Sequence, residues 1–262
     1  MIPANPEKDN QALARGQDLG PDFPWASATH QGLVRAGNED ALLARPDLGL
    51  FAVSDGLGGH ARGQEASALA LAALVRAVER GAGLGEAVRQ ADREVRGLAD
   101  PDEARPPGAT LTALVLSGSA FALAWAGDSR AWLWDGRTAR LLTRDHTWVN
   151  EQVEAGLMTP AEAVASPLRS MLTQALGLGR HPPRPLEFEL RSGPWRPGQE
   201  AFLLATDGLL GPDGPPGPAE LALVLARATT PARAVDGLLR MSLDAGGPDN
   251  VTVVAAGWPV RP

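Results

Sequence analysis

Short, almost wholly apolar runs that stop abruptly at an acid or a glycine recur along this chain, and they predict buried strands. Residues 50–54 run into Asp55-Gly56-Leu57-Gly58-Gly59-His60, residues 123–126 into Gly127-Asp128-Ser129, and residues 202–205 into Thr206-Asp207-Gly208. A fourth run, 251–255, is preceded by Gly247-Pro248-Asp249-Asn250. Strands are also predicted at 25–30, 41–44, 131–134, 139–142 and 186–190, with Asp135-Gly136 as a hairpin signal between the third and fourth of these. The longest apolar stretch, 109–126, is broken by Thr110, Thr112 and Ser117-Gly118-Ser119 into two strands around a tight turn, which excludes a membrane-spanning helix.

Helical spacing takes over between these runs. Ala66, Leu69, Ala70, Ala73, Leu74 and Ala77 share one face of a helix over 64–80, stopped by Gly81, and a second helix with a charged, solvated face is predicted over 84–99. A helical piece over 148–155 precedes a short helix begun by Thr159 and Pro160, an N-cap followed by a proline at the first helical position. Residues 219–228 and 232–244 read as a last helix pair, and the Pro/Gly-rich stretch 211–218 as an exposed loop. This order predicts an α+β fold with one core: a central antiparallel β-sandwich of two sheets, flanked by helix pairs on both outer faces in a four-layer αββα arrangement.

Composition narrows the function classes. At 262 residues and 44% hydrophobic content the chain is long enough for one large domain. Its net charge of -7 argues against nucleic acid as a partner, and the absence of cysteine excludes disulfides, thiolate metal sites and cysteine nucleophiles. Residues 1–22 read as a disordered polar leader, without the apolar segment of a signal peptide or membrane anchor, and 23–262 as a single folded domain.

One Asp-Gly after a strand is an ordinary turn. Three at the ends of apolar runs, with Asp249 at the start of a fourth, point to one shared centre. Carboxylate and carbonyl donors without cysteine or clustered histidine suit a hard cation, Mg²⁺ or Mn²⁺. Arg35, in a turn with Glu39 and Asp40, is suited to grip phosphate oxygens, although an arginine among acids commonly makes only a surface ion pair. Ser54, Ser129 and Thr206 lie near the acids as candidate nucleophiles but show no accompanying histidine base. His60 has the chemistry of a general acid for the leaving oxygen, or of a backbone hydrogen-bond partner.

Arg35 with Asn38-Glu39-Asp40, Asp55-Gly56-Leu57-Gly58-Gly59-His60, Gly108-Ala109-Thr110, Gly127-Asp128-Ser129-Arg130, Thr206-Asp207-Gly208-Leu209 and Gly247-Pro248-Asp249-Asn250 resemble, in order, the motifs of bacterial protein phosphatase 2C-like enzymes. The resemblance covers about residues 25–257. It implies a metal-dependent serine/threonine protein phosphatase in which Asp55 bridges two Mn²⁺ or Mg²⁺ ions, Gly56 lends a carbonyl oxygen, and Asp207 and Asp249 complete the ligands of the first metal. It further implies that Glu39 holds a metal-bound water, that Arg35 grips substrate phosphate, that Asp128 and Asp207 share a weaker third ion, and that 147–172 is a mobile flap. The implied partners are cytoplasmic phosphoproteins, a Ser/Thr kinase or its targets, acted on by a monomer with no nucleic acid or membrane.

The sequence departs from the family pattern at His30, Leu57 and Ala109, none expected to touch metal, and at Leu210-Gly211-Pro212, which reshapes one rim of the cleft. Two other classes stay in view. Gly127-Asp128-Ser129 also resembles the nucleophile block of GDSL-type esterases, but the last histidine is His181 and no late Asp-x-x-His follows. A catalytically dead binding module would be signalled by loss of a metal acid, and no such loss appears.

Overall fold

The computed structural model describes residues 23–58, 61–100, 106–178, 185–209 and 216–258. Ten of the strands form two antiparallel sheets. The first holds β1 (Trp25–His30), β8 (Arg130–Trp134), β9 (Ala139–Leu141), β11 (Ala201–Ala205) and β12 (Val251–Ala256), in the order β1-β12-β11-β8-β9. The second holds β2 (Ala41–Arg45), β3 (Leu50–Ser54), β6 (Leu111–Ser117), β7 (Ala120–Ala126) and β10 (Glu189–Pro194), in the order β10-β7-β6-β3-β2. A small ladder pairs β4 (Gly56–Leu57) with β5 (Gly108–Ala109). The fold is α+β, as the order of apolar runs predicts.

Period-two alternation sorts each strand between two environments. In β3, Phe51 and Val53 point between the sheets, where they meet Leu114, Leu123, Trp125, Phe202 and Val254. Leu50 and Ala52 point outward to the helices α1 (Ala61–Glu79) and α2 (Leu84–Arg96). The outer face of the second sheet is small, with Ala52, Ala113, Ala122 and Ala124, and the facing helices answer with Ala66, Ala70, Ala73, Ala87 and Ala91. Short side chains on both surfaces bring helix and sheet close together. On the opposite outer face, α5 (Pro218–Leu225) and α6 (Pro231–Asp244) cover Leu203, Ala205, Val251 and Val253 with Leu221, Leu225, Val235 and Leu238. The single core expected from the sequence is thus divided by the sheets into three apolar layers.

The helix signals act locally. α3 (Trp148–Glu154) is capped by Thr147, and α4 (Pro160–Ala165) begins with a complete capping box between Thr159 and Glu162. Thr230 caps α6, and the Glu220 carboxylate accepts the Gly217 N–H at the start of α5. The helix expected at 64–80 starts earlier, at Ala61, and the one expected at 84–99 ends earlier, at Arg96.

Two expectations are corrected. The strand expected at 186–190 lies at Glu189–Pro194, because Leu186 and Phe188 pack against the α1/α2 layer before the chain joins the sheet edge beside β7. Pro194 is tolerated as the last residue of that edge strand. The hairpin expected between 131–134 and 139–142 is found as β8 and β9, with Asp135 Oδ1 accepting the N–H groups of Arg137 and Thr138 in the four-residue connection. Of the stretch expected as an exposed loop at 211–218, residues 216–218 are described, and there Pro216 is buried and Pro218 opens α5. The leader 1–22 and the Leu210-Gly211-Pro212 departure lie outside the described residues. Among the described residues no helix is long and apolar enough to cross a membrane.

Candidate metal centre

Strand register gathers the acids. Ala41 pairs with Ser54, Val53 with Thr112, Leu111 with Ala126, Ala205 with both Arg130 and Val253, and His30 with Val251. The chain segments carrying Glu39, Asp40, Asp55, Asp128, Asp207 and Asp249 therefore leave the sandwich at the same end. There they border a cleft of about 330 Å³ lined by Arg35, Glu39, Asp55, Asp128, Asp207 and Asp249, together with Gly56 and Leu57. Ser170 and Leu172 close one side. They belong to the segment expected as a flap, whose ends are joined by a bridge between Thr147 and Leu172.

Hydroxyl groups beside the acids hold the backbone in place. Thr110 Oγ1 accepts the Asp55 N–H at 2.9 Å and lies 2.8 Å from Ser129 Oγ, so one threonine ties the Asp55 turn to the Asp128 turn. Ser54 Oγ donates to the Thr110 carbonyl at 2.6 Å. Thr206 Oγ1 accepts the Thr252 N–H and donates to Asp40 Oδ2 at 2.8 Å. All three alcohols considered as nucleophiles are thus engaged in buried contacts.

Asn250 plays a similar part across the sheets. Its amide donates to the carbonyls of Gln31 and Gly37, and its oxygen accepts the Glu39 N–H. One close approach requires glycine, since a Cβ on Gly208 would run into the Asn250 carbonyl, and a Cβ on Gly63, in the first turn of α1, would displace the Glu39 carboxylate.

Electrostatically the cleft crowds acids together with only two arginines beside them. Burial, then the neighbouring Asp207, Asp40, Asp128 and Asp249, push the Asp55 carboxyl well above its usual range. Burial with Asp207 and Asp145 nearby takes Asp128 up to about 8, and burial with Asp249 takes Asp207 to about 6. Asp40 rises to about 7, chiefly from burial, with hydrogen bonds from Thr252 and Thr206 opposing. Positive charge comes from two arginines. Arg35 donates to Asp249 Oδ2 at 2.6 Å while remaining more than half exposed, and Arg130 is held by both oxygens of Asp145 at 2.6–3.1 Å. The sequence-level alternative of a surface ion pair therefore describes one of the contacts that Arg35 makes.

An oxygen-only set of buried acids that raise one another's pKa matches the chemistry of a hard divalent cation. Among the described residues no three of these side chains are yet gathered around one point as an ion would hold them, and Arg35 engages one oxygen of Asp249. The donor set fits such ions.

The sequence profile described as Protein phosphatase 2C matches residues 27–235. The chain belongs to the protein phosphatase 2C family. Among its relatives, the serine/threonine protein phosphatase PstP of Mycobacterium tuberculosis is 35% identical over 240 residues, covering 88% of this chain and 44% of that protein. The chain thus spans less than half the length of that mycobacterial relative. Protein phosphatase PhpP of Streptococcus pneumoniae is 30% identical over 238 residues, covering 86% of this chain and 93% of that protein. The catalytic domain of PstP, crystallised in complex with two manganese ions, superposes with a TM-score of 0.75 at 34% identity, covering 90% of this chain and 97% of that one.

Within this family fold, the structure brings together Arg35, Glu39, Asp55, Gly56, Asp128, Asp207 and Asp249 at one cleft. His60 lies outside the described residues. Of the departures, Leu57 lines the cleft, Ala109 is buried and His30 Nδ1 accepts the Gly32 N–H. Sequence reasoning assigned no role to Asp40, Asp145, Thr110, Asn250 or Gly63. The available signals were a threonine beside an apolar run at both Thr110 and Thr206, and a helix-disfavouring glycine in the first turn of α1.

Proposed function

We propose that this protein is a metal-dependent serine/threonine protein phosphatase. The observation that carries this reading is the convergence, at one end of a family-type sandwich, of Asp55, Asp128, Asp207, Asp249 and Arg35 around one cleft. On this reading Asp55, the Gly56 carbonyl, Asp207 and Asp249 would hold a pair of Mn²⁺ or Mg²⁺ ions. Glu39 orients a water, and Asp128 with Asp207 forms a weaker third position. The two manganese ions of the PstP catalytic domain support the paired arrangement. When bound, such ions supply a water of lowered pKa and positive charge against phosphoryl oxygens.

The protein's own groups do the rest. Arg35 stands exposed at the mouth, with a guanidinium that can leave Asp249 for the substrate phosphate as Asp249 turns to a cation. Thr110, Thr206 and Asn250 keep the acid-bearing turns in register. His60 is assigned proton delivery to the leaving serine or threonine oxygen. Phosphorylated cytoplasmic proteins, a Ser/Thr kinase or its targets, are the substrates this reading names.

Phosphate release from a phosphothreonine peptide, measured with Mn²⁺ and again in excess EDTA, tests the reading. Turnover that depends on the cation and returns when it is restored is the expected result. Full turnover in EDTA would exclude it, and no turnover in either condition would favour a binding module of the same fold.

A further inference from the structure

A second concavity, of about 680 Å³, lies between α5 and α6 and shares no residue with the acid cleft. Its floor is apolar, formed by Val224, Ala228, Gly237, Met241 and Ala245, and its rim carries Arg227, Arg233, Arg240 and Asp244. On α6, Arg233, Gly237, Arg240, Met241 and Asp244 follow helical spacing and form one stripe, while Ala234, Val235, Leu238 and Ser242 are buried on another face. Gly237 lets the helices meet: a Cβ there would come within 2.9 Å of Val224 Cγ1. The size is that of a groove accepting a few side chains.

The charge on this rim is unanswered. Among the described residues no ion pair or side-chain hydrogen bond engages the guanidinium groups of Arg227, Arg233 and Arg240. Asp236 and Asp244 stand four residues either side of Arg240, the spacing at which helical ion pairs form, yet neither pairs with it. The opposite helical layer behaves differently, with Arg76 on Glu94, Arg93 on Glu86, Arg96 on Asp92 and Arg45 on Glu79. In a chain of net charge -7, three exposed cations left unpaired around an apolar floor form a local surface complementary to negative charge.

We infer that the α5/α6 groove is a docking site for an acidic peptide segment of a protein partner, one that seats an apolar side chain on Met241 and Gly237 and carries carboxylates to Arg227, Arg233 and Arg240. Clustered arginines read acidic motifs in this way, and an apolar anchor adds the desolvated contact that exposed ion pairs lack. The inference does not depend on the chemistry of the acid cleft.

The test is fluorescence polarisation of the full chain with a short fluorescein-labelled peptide in which glutamates flank a central phenylalanine. The expected result is saturable binding that weakens with salt. Binding should also weaken at least about tenfold in the triple variant Arg227→Glu, Arg233→Glu, Arg240→Glu, and measurably in Met241→Gln. A glutamine-for-glutamate peptide should bind poorly. Turnover of p-nitrophenyl phosphate by the triple variant should match the parent, showing that it is folded. Equal binding by parent and triple variant would overturn the inference, as would binding lost in Arg35→Ala but kept in the triple variant. So would a triple variant that loses affinity only for phosphatidylserine vesicles, or only self-association in sedimentation, with peptide binding unchanged.

Discussion

The acid cleft and the arginine groove both hold charge without full compensation, yet they place it in opposite circumstances. In the cleft the carboxyls are buried and raise one another's pKa; on the groove the guanidiniums are exposed and solvated. Buried like charge has a folding cost that a bound cation relieves, whereas exposed charge costs little and acts mainly on encounter with a partner. Changes in the cleft should therefore move stability and chemistry together, and changes on the groove should leave both where they are.

The sharpest test is Asp55→Asn. It should abolish detectable phosphopeptide turnover and, in metal-free protein near pH 7, raise the melting temperature by removing the most crowded carboxylate. A lower melting temperature without metal would mean that the cleft acids stabilise the fold, and the contrast would fail. Next in size, Thr206→Val removes the hydroxyl that donates to Asp40 and accepts the Thr252 N–H, and calorimetry should register an Mn²⁺ affinity about 10- to 100-fold weaker. Unchanged affinity would leave Asp40 outside the centre. Asp128→Ala should fold, keep its tight metal sites in the same titration and lose a substantial part of its turnover; loss of the tight sites would make Asp128 one of their ligands.

A smaller effect follows from protonation. Asp207, Asp40 and Asp128, with folded values of about 6, 7 and 8, retain protons that an unfolded chain would release at about pH 3.9. Through that window the folded state binds more protons, so its stability falls as pH rises. Melting scans of metal-free protein should show a decline from about pH 5 to pH 8 that excess Mn²⁺ reduces or reverses. A flat profile would contradict the burial of these acids. Least of all, the triple arginine reversal in the groove should change unfolding free energy by no more than about 1.5 kcal/mol in a urea titration, about 0.5 for each exposed substitution.

How much of this was legible in the sequence depended on how local the cause was. The strands could be read because helices cover both outer faces of the sandwich, which turns alternating patterns into continuous apolar runs ending at Asp55, Asp128 and Asp207. The helix start at Thr159-Pro160 was equally local. The shifted β10 was not, because Leu186 and Phe188 satisfy their hydrophobicity against α1 and α2, and a chain pattern does not say which layer absorbs it. The roles of Asp40, Asn250 and Gly63 were hidden for a related reason. Each acts across elements far apart in sequence, Asp40 on Thr206 and Asn250 on Gln31, Gly37 and Glu39, so its role exists only once the register between strands is known.

The pairing of β1 with β12 joins Trp25 to Ala256 and His30 to Val251. During synthesis β1 therefore waits, without its neighbour, until residues beyond 250 have left the ribosome. Long-range pairings of this kind form late and slowly. A nascent chain emerges with Asp55, Asp128 and Asp207 already made, but Asp249 and the Asn250 tie arrive only with the strand that completes the first sheet. The acid cleft is thus completed last, when β12 takes its place between β1 and β11.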